Sequence, residues 1–288
     1  MTTTIRTLGQ VLDATTTYLT SRGVDLPQLA AELLLERLLK LPRLELSLHL
    51  EREMTETHLE AMRRGMKRIG DGEPVQYVLG EVSFRGHALT VDSRCLIPRP
   101  ETEVLVETVL NCAPLWEGSP GIIDVGTGSG CIVIALALER AQGRYVGYDV
   151  SNDALEIAQA NATRCGVDEK IAFVGGDLSE ILEPESLDAI ISNPPYIPSA
   201  ECDRLPVHIR EHEPRLALDG GPDGLDIVRG LIEDAPILLK AEGWLFFELG
   251  DGQAERVADM MRETGFADVA RIKDLTGRER IVSGRLAI

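Results

Sequence analysis

An apolar run, Gly121-Ile122-Ile123-Asp124-Val125, breaks into Gly126-Thr127-Gly128-Ser129-Gly130 and resumes as Cys131-Ile132-Val133-Ile134-Ala135-Leu136-Ala137-Leu138. The pattern reads as a buried strand, a tight turn and a buried helix. Alternate glycines let the backbone turn sharply and approach a ligand closely. The helix start then offers free N–H groups to that ligand. The spacing is G-x-G-x-G, not the G-x-G-x-x-G of dinucleotide binders, and Cys131 stands where that fingerprint wants glycine. Asp124, just before the loop, supplies a carboxylate suited to an ammonium group. An amino-acid-bearing nucleoside fits this set better than a pyrophosphate. From about residue 100 onward strands and helices alternate, which predicts a doubly wound α/β sheet.

Further strand ends carry polar residues in the same way. Arg144–Tyr148 ends at Asp149, nineteen residues after Gly130, where an acidic side chain can grip both hydroxyls of a ribose. Ile171–Val174 ends at Gly175-Gly176-Asp177-Leu178, a place for contacts to a base. Each aspartate alone also fits ordinary loop capping; the order and spacing carry the reading. Leu187–Ser192 is a fourth apolar strand, and Asn193-Pro194-Pro195-Tyr196 follows it. Two prolines can continue neither a sheet nor a regular helix. They freeze a short extended loop at the carboxyl end of a strand, where open α/β sheets bind ligands. The loop offers an amide side chain, a free carbonyl and a ring. Two acceptors can hold the hydrogens of a planar NH2 group while the ring covers its face. A plain polyproline turn is the competing reading of these four residues taken alone.

Together, Asp124-x-Gly126-x-Gly128-x-Gly130, Asp149 and Asn193-Pro194-Pro195-Tyr196 resemble the motifs of S-adenosylmethionine-dependent methyltransferases acting on planar nitrogen. More closely, the chain resembles the HemK/PrmC group, the glutamine-N5 methyltransferases of peptide chain release factors. The resemblance runs through Gly72–Tyr77, Leu96–Glu103, Glu213–Gly221, Asp223–Leu225, Glu248-Leu249-Gly250 with Gln253, and Asp274–Arg280. It implies a Rossmann-like class I methyltransferase sheet, with one antiparallel strand at the sheet's edge. It implies S-adenosyl-L-methionine as cofactor, held by Asp124, Gly126, Thr127, Gly128, Ser129, Gly130, Asp149, Asp177, Leu178 and Asn193. Leu178 stands where relatives often carry an aromatic residue. Asn193, Pro194, Pro195 and Tyr196 are implied as the catalytic and substrate-binding residues. The implied substrate is the glutamine of a Gly-Gly-Gln loop in class 1 release factors. Methylation of an exocyclic amine of DNA or RNA is the alternative, since that NH2 is also planar and conjugated.

Three regions are expected. Residues 1–80 show helical periodicity, with Leu8, Val11, Leu12 and Leu19 on one face and Thr55 placed to cap a later helix. They read as a small helical bundle, the partner-recognition domain by resemblance. Residues 81–99 read as a β-hairpin linker and 100–288 as the catalytic domain. Residues 1–80 carry 10 Lys+Arg against 11 Asp+Glu, and 81–288 carry 19 against 36. So acidic a catalytic region repels nucleic-acid phosphates and suits a basic protein partner, although solubility alone also accounts for it. No nucleic-acid partner is therefore expected. No apolar run reaches the length of a membrane span, and the first residues lack the apolar core of a signal peptide. Five scattered cysteines without a C-x-x-C read as thiols in a reducing compartment. The histidines show no metal-ligand spacing. We therefore expect a cytoplasmic monomer with no metal and no membrane association.

Three further residues carry expectations of their own. Thr102 is placed to cap a helix from near Glu103. Arg99, stiffened between two prolines, fits either a substrate clamp or a structural ion pair. Glu213 is placed to orient Arg215.

Overall fold

The computed structural model describes residues 7–176 and 183–287. It divides into two compact units, one holding the chain up to Gly80 together with Val207–His212, the other holding the remainder.

The first unit is helical: α1 (Leu8–Ser21), α2 (Pro27–Leu39), α3 (Glu56–Gly70) and α4 (Val75–Leu79). Thr7 and Thr55 each accept from the N3 backbone while the N3 side chain, Gln10 or His58, returns a bond, so both helices start on reciprocal caps. Leu8, Val11, Leu19, Leu34, Leu35, Leu59, Met62 and Ile69 form its core. A Cβ at Gly65 would stand 2.8 Å from Leu34 Cδ2, so glycine is what lets α3 approach α2.

The second unit opens with the hairpin β1 (Glu81–Phe84) and β2 (His87–Thr90). Its two-residue turn, Arg85-Gly86, has φ of 46° and 79°, as a type I′ turn requires. α5 (Pro100–Leu110) follows, and then a seven-stranded sheet in the order β5-β4-β3-β6-β7-β9-β8. Its strands are β3 (Gly121–Val125), β4 (Arg144–Tyr148), β5 (Ile171–Val174), β6 (Leu187–Ser192), β7 (Leu239–Glu248), β8 (Phe266–Lys273) and β9 (Glu279–Leu286). Strand residues alternate between two cores. Ile122, Ala189, Ile191 and Phe246 face one core with α5 and α6 (Cys131–Glu139), while Ile123, Val125, Ile190, Leu245 and Phe247 face the other. That second core is closed by the helices Asp226–Leu238 and Ala254–Glu263. Helices thus cover both faces of a mostly parallel sheet, and α6, apolar all round, is buried along Cys131–Ala137.

One expectation needs correction. The single antiparallel strand does not lie at the edge: β9 is inserted between β7 and β8 and runs antiparallel to both. β8 reaches the edge first and the chain doubles back to fill the gap it left.

Register brings the functional loops together. Val125 pairs with Tyr148 on one side and Ser192 on the other, and Ser192 pairs with Phe247. The residues just beyond β4, β3, β6 and β7 therefore emerge level, side by side, along one edge of the sheet.

Candidate active site

Asp124 is fully buried at the carboxyl end of β3. Its Oδ2 accepts from the Thr127 hydroxyl at 2.7 Å, while Oδ1 has no side-chain partner among the described residues. Burial pushes its carboxyl up to about 7; the Thr127 hydroxyl and, from the first turn of α6, the Val133 N–H oppose this, and the negative charge of Asp149 adds to it. The three loop glycines do different work. Gly126 has φ of 76°, and a Cβ built there meets nothing within 4 Å, so the space above it is open. Gly128 also has positive φ, at 55°. A Cβ at Gly130 would come within 2.8 Å of Ile134 and 3.3 Å of the Ala158 backbone, so this glycine serves helix packing.

The loop amides that precede α6 are satisfied within the protein. The N–H groups of Gly126 and Thr127 both donate to the Tyr148 carbonyl at 2.8 Å, Gly128 to Asp149 Oδ2 at 2.9 Å, and Gly130 to the Thr127 carbonyl at 2.8 Å. These donors are engaged within the protein and do not form an anion cradle. Thr127 and Ser129 are buried. Asp149 also accepts from Ser151 N at 2.9 Å. Each of its oxygens thus holds one internal bond and keeps lone-pair capacity for another. Asp177 and Leu178 lie outside the described residues.

At the end of β6 the Ser192 hydroxyl donates to the Val125 carbonyl at 2.7 Å and ties the two strand ends together. Asn193 follows. Its Nδ2 donates to Thr102 Oγ1 at 3.1 Å, and its buried Oδ1 has no partner among the described residues. Pro194 is buried, while Pro195 and Tyr196 are half-buried. Burial, with a smaller contribution from the nearby Glu248 carboxylate, pushes the Tyr196 phenol up to about 12.

The loop is held from behind. Ile197 N donates to the Leu218 carbonyl at 3.0 Å and Gly220 N to the Ile197 carbonyl at 2.9 Å. A Cβ at Gly220 would stand 2.5 Å from the Pro195 carbonyl oxygen, and one at Gly224 2.2 Å from that of Tyr196. Only glycines allow this backbone-on-backbone contact. Gln253 bridges the rear, donating to the Tyr196 carbonyl at 3.0 Å and accepting from Gly250 N at 2.8 Å.

Arg99 pairs with Glu213, whose side chain is nearly inaccessible and whose other oxygen accepts from Ile97 N at 3.2 Å. The pair pins the segment leading into α5, the structural one of the two readings. Glu213 does not orient Arg215, which pairs with Asp203 and Asp219. Nor does Thr102 cap a helix: α5 starts at Pro100 with Arg99 at the N-cap, and Thr102 sits in the first turn, buried against Asn193.

Glu248 had no individual role in the sequence reading. It lies at the end of β7, 2% exposed, beside Thr102 and Asn193, with Oε2 unpartnered among the described residues. A lone carboxylate closing the apolar run Leu245-Phe246-Phe247 was the available signal.

Comparison with known proteins places this arrangement. Residues 10–80 match the PrmC N-terminal domain and residues 100–208 the methyltransferase small domain. A release factor glutamine methyltransferase of Geobacter sulfurreducens is 42% identical over 98% of both chains. Those of Chlorobaculum tepidum and Caulobacter vibrioides are 42% and 36% identical over 95% and 96% of each chain. The chain belongs to the release factor glutamine methyltransferase family. A methyltransferase structure from Pyrococcus furiosus shares the fold, with a TM-score of 0.52 at 17% identity, covering 78% of this chain and 99% of that one. The protein is an S-adenosylmethionine-dependent methyltransferase with a class I sheet.

Proposed function

We propose that this protein methylates the side-chain amide nitrogen (N5) of the glutamine in the Gly-Gly-Gln loop of class 1 peptide chain release factors. The observation that carries the reading is the unpartnered Asn193 Oδ1, a buried acceptor held at a strand end by a bond through its own Nδ2. An unsatisfied buried acceptor costs about 1–3 kcal/mol. A substrate N–H would offset that cost.

The residues fit the cofactor. A buried carboxylate with one oxygen free of side-chain partners, Asp124, suits an ammonium group, and the open space over Gly126 admits a ligand against the backbone. Asp149 retains acceptor capacity for ribose hydroxyls. Bound S-adenosylmethionine supplies an electrophilic methyl group on sulfur.

The chain's own residues must then make a poor nucleophile react. An amide lone pair is delocalised into its carbonyl, a resonance measured by a rotational barrier of ~18–20 kcal/mol. In this reading the Asn193 oxygen and the Pro194 carbonyl accept the two N–H bonds and hold the nitrogen in line for attack. Forming the nitrogen–carbon bond would break the methyl's bond to sulfur, its electron pair staying on sulfur; positive charge then builds on nitrogen and both acceptors strengthen. The loop thus acts as an oxyanion hole of inverted sign. Tyr196 covers the amide plane, and the proton leaves to water.

In the same reading the helical unit selects the partner, and the protein works as a cytoplasmic monomer without nucleic acid. The acidic balance of residues 81–288 supports a basic protein partner, and none of the described helices is long and apolar enough to cross a membrane.

The test is transfer of labelled methyl to unmethylated release factor, DNA and ribosomal RNA offered in parallel, with products mapped by mass spectrometry. Label on one release-factor glutamine, lost in Asn193→Ala, is the expected result. Label confined to nucleic acid would overturn the substrate.

A further inference from the structure

We propose that Glu248 and Thr102 are positioning residues that set which end of the Asn193 amide faces the substrate. This rests on reading Asn193 Oδ1 as the acceptor of the target N–H. A side-chain amide has a donor end and an acceptor end of nearly equal size. Presented the wrong way round, Asn193 would set its NH2 against the substrate's NH2 and bind neither hydrogen.

The choice is made behind the loop. Asn193 Nδ2 donates to Thr102 Oγ1, so that oxygen must accept. A hydroxyl has a single proton, and Thr102 keeps its oxygen free for Asn193 only if the proton is committed elsewhere. Glu248 is the adjacent acceptor, within hydrogen-bonding reach of both the Thr102 hydroxyl and the Asn193 amide. Ser192 and Phe247 are register partners, so Asn193 and Glu248 leave neighbouring strands together. Thr102 and Glu248 are both essentially inaccessible to water, at 1% and 2% exposure, so solvent cannot take over the role.

An ionised Glu248 can only accept, and hydrogen-bond polarity then runs from Asn193 through Thr102 to Glu248. A protonated Glu248 can donate to Thr102 instead. The hydroxyl proton is then free to turn toward the amide, and the chain of bonds supports the reversed Asn193.

Several groups face this carboxyl. Burial pushes it up to about 7; Thr102 and Asn193 favour its charged form, Glu101 on α5 opposes that form, and Arg280 on β9 supports it. Tyr196 also feels the charge, since Glu248 raises its phenol. The productive orientation is therefore present above neutrality and lost as pH falls through it.

The experiment compares full-length wild type with Thr102→Val, Thr102→Ser, Glu248→Gln and Asn193→Ala, each checked for cofactor binding and melting temperature. We expect Thr102→Val to lose ~10–10²-fold in kcat at nearly unchanged KM, a fraction of what deleting a transition-state hydrogen bond costs. Thr102→Ser, which keeps the hydroxyl, should restore turnover. Wild-type kcat should fall on the acid side of neutrality with a one-proton dependence that Glu248→Gln abolishes. The protonated-carboxyl infrared band of the free protein should titrate over the same range and lose the Glu248 component in that variant, leaving that of Asp124. Wild-type turnover in Thr102→Val beside an inactive Asn193→Ala would overturn this proposal and leave the Asn193 reading standing. Full turnover in Asn193→Ala would overturn both. An acid limb that survives Glu248→Gln would remove Glu248 from the device.

Discussion

At the end of β3, Asp124 has one carboxylate oxygen held by the Thr127 hydroxyl and the other without a side-chain partner among the described residues. At the end of β6, the next strand, Asn193 has its amide nitrogen held by the Thr102 hydroxyl and its oxygen without a partner among them. Both sites spend a threonine to fix one polar atom and leave one acceptor exposed to whatever binds. They differ in charge and in support. Asp124 can offer a full negative charge, matched to a ligand that arrives as a cation. Asn193 is neutral, matched to an amide that becomes cationic only as it reacts. A permanent anion there would stabilise charge before the transition state as well as in it, and uniform binding does not raise turnover. The β3 loop is built around glycines that leave open space above them. The β6 loop is built from prolines braced by glycines that let carbonyls pack behind it.

Exchanging the two chemistries is the most damaging way to break the comparison. Asn193→Asp sets a second buried carboxyl beside Glu248 and removes the donor that Thr102 accepts from. We expect kcat to fall roughly 10²-fold, because two adjacent buried carboxyls must share a proton and the acceptor is no longer anchored on Thr102 and is misplaced, with cofactor affinity within a fewfold of wild type. Single-turnover kinetics alongside calorimetric titration would check both. Asp124→Asn should do the converse, weakening cofactor binding by roughly 10–10²-fold through loss of a charge-assisted bond while turnover at saturation survives. If each variant changed both quantities equally, the two strand ends would not be separable sites.

The supports can be tested with single methyl groups. Gly224→Ala puts a Cβ 2.2 Å from a backbone oxygen of the β6 loop, which must move. Overpacking of this kind costs about 1–3 kcal/mol, and we expect turnover to drop ~10-fold from misplaced acceptors. Gly126→Ala meets no protein atom within 4 Å. Its cost to folding is the positive φ alone, about 1–2 kcal/mol, and its functional defect should lie in cofactor affinity. Denaturant melts and binding isotherms of the two variants would separate a braced loop from an open cradle.

How much of this was legible in the chain follows from how local each signal is. The strand–glycine loop–helix unit and the proline-locked loop are written in consecutive residues, and so was the Thr55 cap. Partners chosen across the fold are not. Thr102 looks like a cap because threonine near a helix start usually is one, yet Pro100 begins the helix and turns Thr102 inward. Glu213 lies two residues from Arg215 but pairs with Arg99, far away in sequence. The place of β9 depends on which neighbour its edge meets, and alternation within the strand does not encode that. Gly220 and Gly224 read as loop glycines; their reason is a backbone 2.2–2.5 Å from where a side chain would begin.

The smallest expected effect bears on what both sites cost the free protein. Burial pushes Asp124 up from 3.8 and Glu248 up from 4.5, each to about 7. In this window the folded state holds protons that the unfolded state has released, so unfolding free energy falls as pH rises. The stability is fully present below the ordinary carboxylate range, declines toward neutrality and levels off above about 7. Paired aspartates such as Asp92, held below its usual value by the Arg94 guanidinium, act only at more acid pH. Asp124→Asn and Glu248→Gln should each flatten the slope and raise stability at pH 8 by on the order of 1 kcal/mol, or about 2–4 °C in Tm. Saturating S-adenosylmethionine should reverse the ranking for the first variant and not for the second. A ligand stabilises only in proportion to how tightly it binds, and only Asp124 is read as holding it. Melting both variants across pH, with and without cofactor, thus tells a carboxyl that meets the ligand from one that acts behind the loop.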